Sequence, residues 1–269
     1  MEKFTPDASV SAAFKSALDW WESVGVEVPK TVPAKPKART RPAPASSQSK
    51  QAATAAKTTA ASATSDPTHE SRVQLAQQAA SGAKNLAALK TAMTGFDAGT
   101  LSDNAAQCVF ASGNPEARVM VIGDAPGRDE DTQGKPFAGR SEQLLGKMLA
   151  AIGLTENEFY AANIMSWRPP GGRNPHPEEI ALCRPFLHRH IELVAPDVLL
   201  IAGGGPLSAM TALTGIMKNR GNWQTLTING RDIPALPIYH PSFLLKRPEL
   251  KREAWRDLLS LHEKLSELD

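Results

Sequence analysis

The stretch Arg118 to Arg140, RVMVIGDAPGRDEDTQGKPFAGR, restricts the fold of this chain more than any other. It opens with a continuous apolar run, Val119 to Ile122. A run that short, with no polar alternation, fits a strand buried on both faces, as in a parallel sheet. The run stops at Gly123 and passes into a loop that holds Gly127, Gly134 and Gly139 beside Asp124, Asp129, Glu130 and Asp131. A strand that feeds a glycine-rich acidic loop and then a helix sets polar groups at the carboxyl end of a sheet, where open α/β folds bind ligands.

The same alternation continues along the chain. Val119–Ile122 precedes a helix over Glu142–Ile152, and Phe159–Ile164 precedes one over Pro177–Leu193. Val198–Ala202 precedes Leu207–Leu213, and a strand near Ala235–Tyr239 precedes Pro248–Leu265. Repeated βα units predict a parallel sheet with helices on both faces. Asn222 to Asp232 reads as a small hairpin turning at Asn229-Gly230. Upstream, Glu70 to Ala92 reads as a single helix.

Before that helix the composition changes. Within residues 1–28, Val10 to Trp21 reads as a short helix, with Val10, Phe14, Leu18 and Trp21 on one stripe. Residues 29–69 are rich in Ala, Pro, Lys, Ser and Thr, which predicts a disordered basic linker. Between Val28 and Ser65 lie seven basic residues and no acid, so of the net +2 the rest of the chain carries −5. Bulk charge therefore does not make residues 70–269 a polyanion binder, and such binding rests on local patches. No apolar stretch approaches the ~20 residues that cross a bilayer, and no apolar run follows the first Met. With two cysteines, Cys108 and Cys183, and no CxxC, a reducing cytoplasm is expected.

Each strand delivers polar residues to one edge: the acidic loop, Asn163 with Trp167-Arg168-Pro169-Pro170-Gly171-Gly172-Arg173-Asn174, Gly203-Gly204-Gly205, and His240-Pro241-Ser242-Phe243-Leu244-Leu245-Lys246-Arg247. An asparagine amide pairs a donor with an acceptor and can read a pyrimidine edge. A phenylalanine such as Phe137 can stack on a base, and a histidine can donate to an oxygen that turns negative as a bond breaks. Alone, Asn163 is ordinarily a turn residue or cap. Arg168 and Arg173 suit either phosphates or salt bridges to nearby acids. Cys183, His188 and His190 do not share one helical face, which argues against zinc. Pro136 after Gly134-Lys135 argues against a phosphate loop, and Gly203–Gly205 against a dinucleotide site.

GDAPGRDEDTQGKPFAGR, FYAANIMSWRPPGGRNP and HPSFLLKRP resemble, in order and position, the motifs of the uracil-DNA glycosylase superfamily, closest to its family 4, the iron–sulfur type. The resemblance runs from about Leu86 to Leu265. It implies a three-layer α/β/α fold around a four-stranded parallel sheet, and hydrolysis of the N-glycosidic bond of uracil in DNA, leaving an abasic site. It assigns Asp124, Glu130, Asn163 and His240 to catalysis, and Gly123, Phe137 and Asn163 to the base. Leu244 would fill the gap in the duplex, and Arg140, Arg168, Arg173, Ser242, Lys246 and Arg247 would contact DNA.

The chain departs from the family pattern twice. Asp124 stands where family 4 usually has Glu, and of the four cysteines that bind a [4Fe–4S] cluster only Cys183 matches. A cluster normally needs four thiolates, so neither cofactor nor metal is expected, and packing around Trp167 would take over the structural role. The expected partner is uracil-containing DNA, single- or double-stranded, bound by a cytoplasmic, nucleoid-associated monomer without membrane attachment. The competing readings are a DNA-binding protein that kept the fold without turnover, and an α/β hydrolase of free nucleotides.

Overall fold

The computed structural model describes residues 69–268. The helix expected within 1–28 and the linker expected over 29–69 lie outside the described residues, save His69, which opens the first helix. Among the described residues three helices, α1 (His69–Gly82), α2 (Leu86–Thr94) and α3 (Thr100–Asn104), precede the sheet. Instead of one helix over Glu70–Ala92 there are two. The cause is local: Asn85 accepts the N–H of Ala88 at 2.8 Å and caps a new helix.

Among the described residues six strands form one sheet. They are β1 (Ser112–Gly113), β2 (Val119–Gly123), β3 (Phe159–Asn163), β4 (Val198–Ala202), β5 (Gln224–Ile228) and β6 (Arg231–Ile238), in the order β1-β3-β2-β4-β6-β5. The inner four, β3-β2-β4-β6, are parallel, as expected. The expected count of four is corrected to six by two antiparallel edge strands. The hairpin at Asn229-Gly230 forms, but it is not a separate element. Its second arm is the fourth parallel strand, which begins at Arg231 rather than near Ala235. Asn229 and Gly230 have φ of 49° and 82°, the positive pair that a two-residue turn of this hand requires.

Strands β2, β3 and β4 are buried at every position. Alternate residues face alternate layers. Met120, Ile122, Tyr160, Ala162, Leu199 and Ile201 pack toward α1, α2 and α6 (Pro177–Val194). Val119, Val121, Phe159, Ala161, Leu200, Leu236 and Ile238 pack toward α5 (Arg140–Ala150) and α10 (Lys251–Glu267). Both faces being covered explains why the strands read as unbroken apolar runs.

Four short helices sit at the carboxyl edge: α4 (Arg128–Gln133), α7 (Gly204–Met210), α8 (Ile216–Asn219) and α9 (Pro241–Lys246). Helix α9 replaces part of what reads as a loop. His240 caps it and Pro241 occupies its first position, a common helix start. After α9, a 3₁₀ turn over Pro248–Leu250 delays the last α-helix to Lys251. Among the described residues no helix is long and apolar enough to cross a membrane.

Candidate active site

At the carboxyl ends of the parallel strands lies a crevice of about 740 Å³. Asp124 after β2, Arg168 after β3, Gly203 and Gly204 after β4, and His240 after β6 all line it. Glu130 forms part of its wall. Asn163 and Phe137, 7% and 2% exposed, are not on its lining, and Phe137 borders a second cavity of about 430 Å³ with Leu145, Phe159 and Ala161.

Glu130 organises this inner side. It is the third residue of α4, and its Oε2 reaches back to accept the N–H of Gly127 at 2.6 Å. Its Oε1 accepts the N–H of Phe137 and the Nδ2–H of Asn163, the latter at 3.3 Å. Phe137 has φ +57°, a left-handed conformation that costs a non-glycine residue on the order of 1–3 kcal/mol. The hydrogen bond from Glu130 helps to hold it there. Gly123 lies between the two groups: a Cβ there would collide with Asn163 Oδ1 and crowd the Phe137 ring. The absent side chain therefore keeps open the space that amide and ring share. Burial pushes the Glu130 carboxyl up, its three donors pull it down, and neighbouring Asp124 pushes it up again.

His240 holds the opposite side. Its Nδ1 accepts the N–H of Ser242 at 3.1 Å and lies 2.7 Å from the Ser242 hydroxyl. A ring nitrogen that accepts a backbone N–H carries no proton, so in the neutral imidazole the proton is on Nε2. Burial pushes the His240 pKa down to about 4, so the ring is neutral near pH 7. It stacks on Phe137, with centroids 5.3 Å apart and planes 13° apart. Asn163, Phe137 and His240 thus converge. Asp124 is half-buried in the crevice, its Oδ1 accepting the N–H of Ala125 at 2.9 Å, and burial raises its pKa. A Cβ at Gly205 would collide with the Asp124 carboxylate and displace it, so glycine at that turn of α7 leaves the carboxylate its place.

The expected DNA contacts fare unequally. Arg168 lines the crevice, and its buried Nε has no hydrogen-bond partner among the described residues. Arg173 also lines it but forms two hydrogen bonds to Glu179, at 2.8 and 2.7 Å. Lys246 and Ser242 line it, whereas Arg247 pairs with Glu249 at 2.5 Å on the surface. Arg140 is exposed at the start of α5, where its neighbour Ser141 reaches the crevice instead. Leu244 requires a correction. It is 0% exposed in the core beneath the sheet and cannot fill a gap in a duplex from there. Helix α9 turns it inward and leaves Phe243 on the crevice wall.

A [4Fe–4S] cluster does not fit the residues present. The chain has two cysteines. Burial keeps both thiols protonated, pushing Cys108 up to about 11 and Cys183 up to about 12. Beside them Phe96, Trp167 and Phe186 pack ring on ring, with centroids 5.1 to 6.4 Å apart. No group of three or more His, Cys, Asp or Glu that could hold a metal occurs among the described residues. Of the zinc candidates, His190 is buried against Tyr160 OH at 2.9 Å, with Phe110 stacked on it at 4.5 Å.

Two contributions escape a linear reading. Tyr239 lines the crevice and donates its hydroxyl to Glu253 at 2.9 Å, under the Arg220 guanidinium. Ile216 joins the wall from α8. Both depend on partners distant in the chain, and no local pattern announces them.

Comparison with known proteins agrees with this geometry. The model of the uracil DNA glycosylase superfamily matches residues 110–259. The type-4 uracil-DNA glycosylase of Archaeoglobus fulgidus is 36% identical over 156 residues, 56% of this chain and 78% of the relative. That of Thermotoga maritima is 36% identical over 162 residues, 58% of this chain and 81% of the relative. That of Saccharolobus solfataricus is 35% identical over 164 residues, 59% and 76% of the two chains. A sheet that gathers an asparagine, a phenylalanine and a capped histidine at one edge, within a sequence this similar, places the chain in the uracil-DNA glycosylase superfamily, near its type-4 members.

Proposed function

We propose that this protein flips uracil out of DNA and hydrolyses its N-glycosidic bond, leaving an abasic site. The observation that carries the reading is the neutral His240, whose free Nε2–H stands beside the Phe137–Asn163 pair. As the bond from C1′ to N1 breaks, its electron pair moves onto uracil, and the charge gathers partly at O2. The Nε2–H donates to that oxygen, the kind of preorganised stabilisation that lowers such barriers most. Asp124 orients the water that adds to C1′ and takes up its proton. Among the described residues that line the crevice none supplies a strong nucleophile, so the rate comes from electrostatics and positioning.

Phe137 offers the stacking face and Asn163 the reading edge. A base between two rings needs two van der Waals gaps of about 3.5 Å each, more than the 5.3 Å between Phe137 and His240. The base therefore lies beside the imidazole on the Phe137 face and not between the two rings, so that the in-plane Nε2–H meets O2 at the edge of the base. Arg168, Ser242 and Lys246 contact the phosphates, and Arg140, Arg173 and Arg247 add longer-range attraction. The substrate is single- or double-stranded DNA, and the protein works as a monomer without a cluster. The packed rings of Phe96, Trp167 and Phe186 hold the loop that joins Asn163 to Arg168.

Purified protein is expected to release uracil from a uracil-containing oligonucleotide in EDTA, without iron or absorbance near 400 nm. Binding with no release from either single- or double-stranded substrate would instead identify a reader without turnover.

A further inference from the structure

Three donors converge on one carboxylate beside the reading edge: the N–H groups of Gly127 and Phe137 and the side-chain amide of Asn163. Asn163 is almost wholly buried, so its amide must satisfy its bonds inside the site. With Nδ2 turned to Glu130, Oδ1 faces the space above Gly123 that borders the Phe137 ring. One Nδ2–H is then committed to Glu130, and the other N–H and Oδ1 remain for a base.

That order of groups matches only one pyrimidine edge. Uracil presents a carbonyl at C4 and an N–H at N3, an acceptor followed by a donor. Cytosine presents an amino group and a bare N3, the reverse. Turning the Asn163 amide over would suit cytosine, but it would press Oδ1 against the Glu130 oxygen, two acceptors with no proton between them. We infer that Glu130 is a positioning residue that locks the Asn163 amide and so makes the site select uracil over cytosine. The inference rests on the glycosylase reading for its biological meaning, but its geometry does not depend on turnover.

Affinity decides it. Oligonucleotides carrying one 2′-fluoro-2′-deoxyuridine or one 2′-fluoro-2′-deoxycytidine resist hydrolysis and allow the two bases to be compared as ligands. The wild-type protein is expected to prefer the uridine oligonucleotide by tenfold or more. Glu130→Gln keeps an oxygen where Phe137 and Asn163 donate, and is expected to keep the preference. Glu130→Ala removes the lock, and the two affinities should converge to within about threefold. If the alanine variant does not fold, Glu130→Met, which keeps the length and drops both oxygens, makes the same comparison. An alanine or methionine variant that folds and retains the wild-type ratio overturns the inference, as does a wild-type protein that binds both equally. Wild-type protein that shows the expected ratios yet releases no uracil upholds the lock and refutes the glycosylase reading.

Discussion

On one side of the crevice Gly127, Phe137 and Asn163 all depend on a single carboxylate, that of Glu130. On the other, His240 is held by the backbone N–H of Ser242 and by α9, a helix rooted in the core through the fully buried Leu244. The preceding residue, Tyr239, is tied to α10 through Glu253, under an Arg220 that pairs with buried Asp257. The side proposed to read the base has one point of failure, and the side proposed to meet the developing charge has several supports. Recognition should therefore be easier to alter by mutation than the placement of the imidazole.

The largest effect tests whether the two sides act together. His240→Ala and Asn163→Ala should each lower uracil release by about 10²–10³-fold, as expected for loss of a preorganised donor or reader. Thermal melts should move little in either variant. An equal loss in kcat and kcat/KM for His240→Ala would place its contribution in the transition state.

Leu244→Ala comes next and addresses the supports of the imidazole side. Removing a fully buried leucine side chain should cost about 2–5 kcal/mol of stability, measured by denaturant unfolding. The folded variant should keep the wild-type ratio of double- to single-strand activity, because the side chain faces the core and not the duplex. A selective loss on double strands would show that Leu244 leaves the core to reach DNA.

Acid should act on the imidazole side through His240 and on the core behind the sheet through His190. Burial lowers His240 to about 4 and His190 to about 3, against 6.5 for the free group. Below pH 6.5 the unfolded chain takes up protons that the folded chain refuses, so these groups favour unfolding progressively as pH falls toward 4. Above 6.5 they contribute no slope. Urea midpoints across that range check the sign, and replacing either histidine with an uncharged residue should flatten the slope.

The smallest effect is expected from Ser242→Ala. The backbone N–H of residue 242 still fixes the His240 tautomer, so loss of the hydroxyl should lower activity by less than about tenfold. A larger loss in kcat at saturating DNA would show that the hydroxyl as well as the backbone positions the ring, whereas a loss confined to KM would report its phosphate contact.

Much of this was open to a linear reading. The apolar runs of β2 and β4, the Asn229-Gly230 turn and the polar residues at each strand end follow from local periodicity and turn chemistry. Asn163, Phe137 and His240 were legible because each directly follows or closes a buried strand, or lies in the loop that leaves one. Leu244 misled because its motif does not reveal which face of a six-residue helix meets the core. Arg168 and Arg173 look alike in sequence, but only Arg173 has Glu179 within reach.

Chain order and residue type were enough to set the parallel βα architecture, the edge at which the crevice lies and most of the groups that line it. Those depend on neighbours within a few residues and on which faces are apolar. Packing decided the rest: that Glu130 grips Asn163 across 33 positions, that Gly205 leaves room for Asp124, and that three aromatic rings pack beside Cys183. Such contacts join segments whose separation along the chain carries no signal, and they exist only once the sheet has brought its strand ends together.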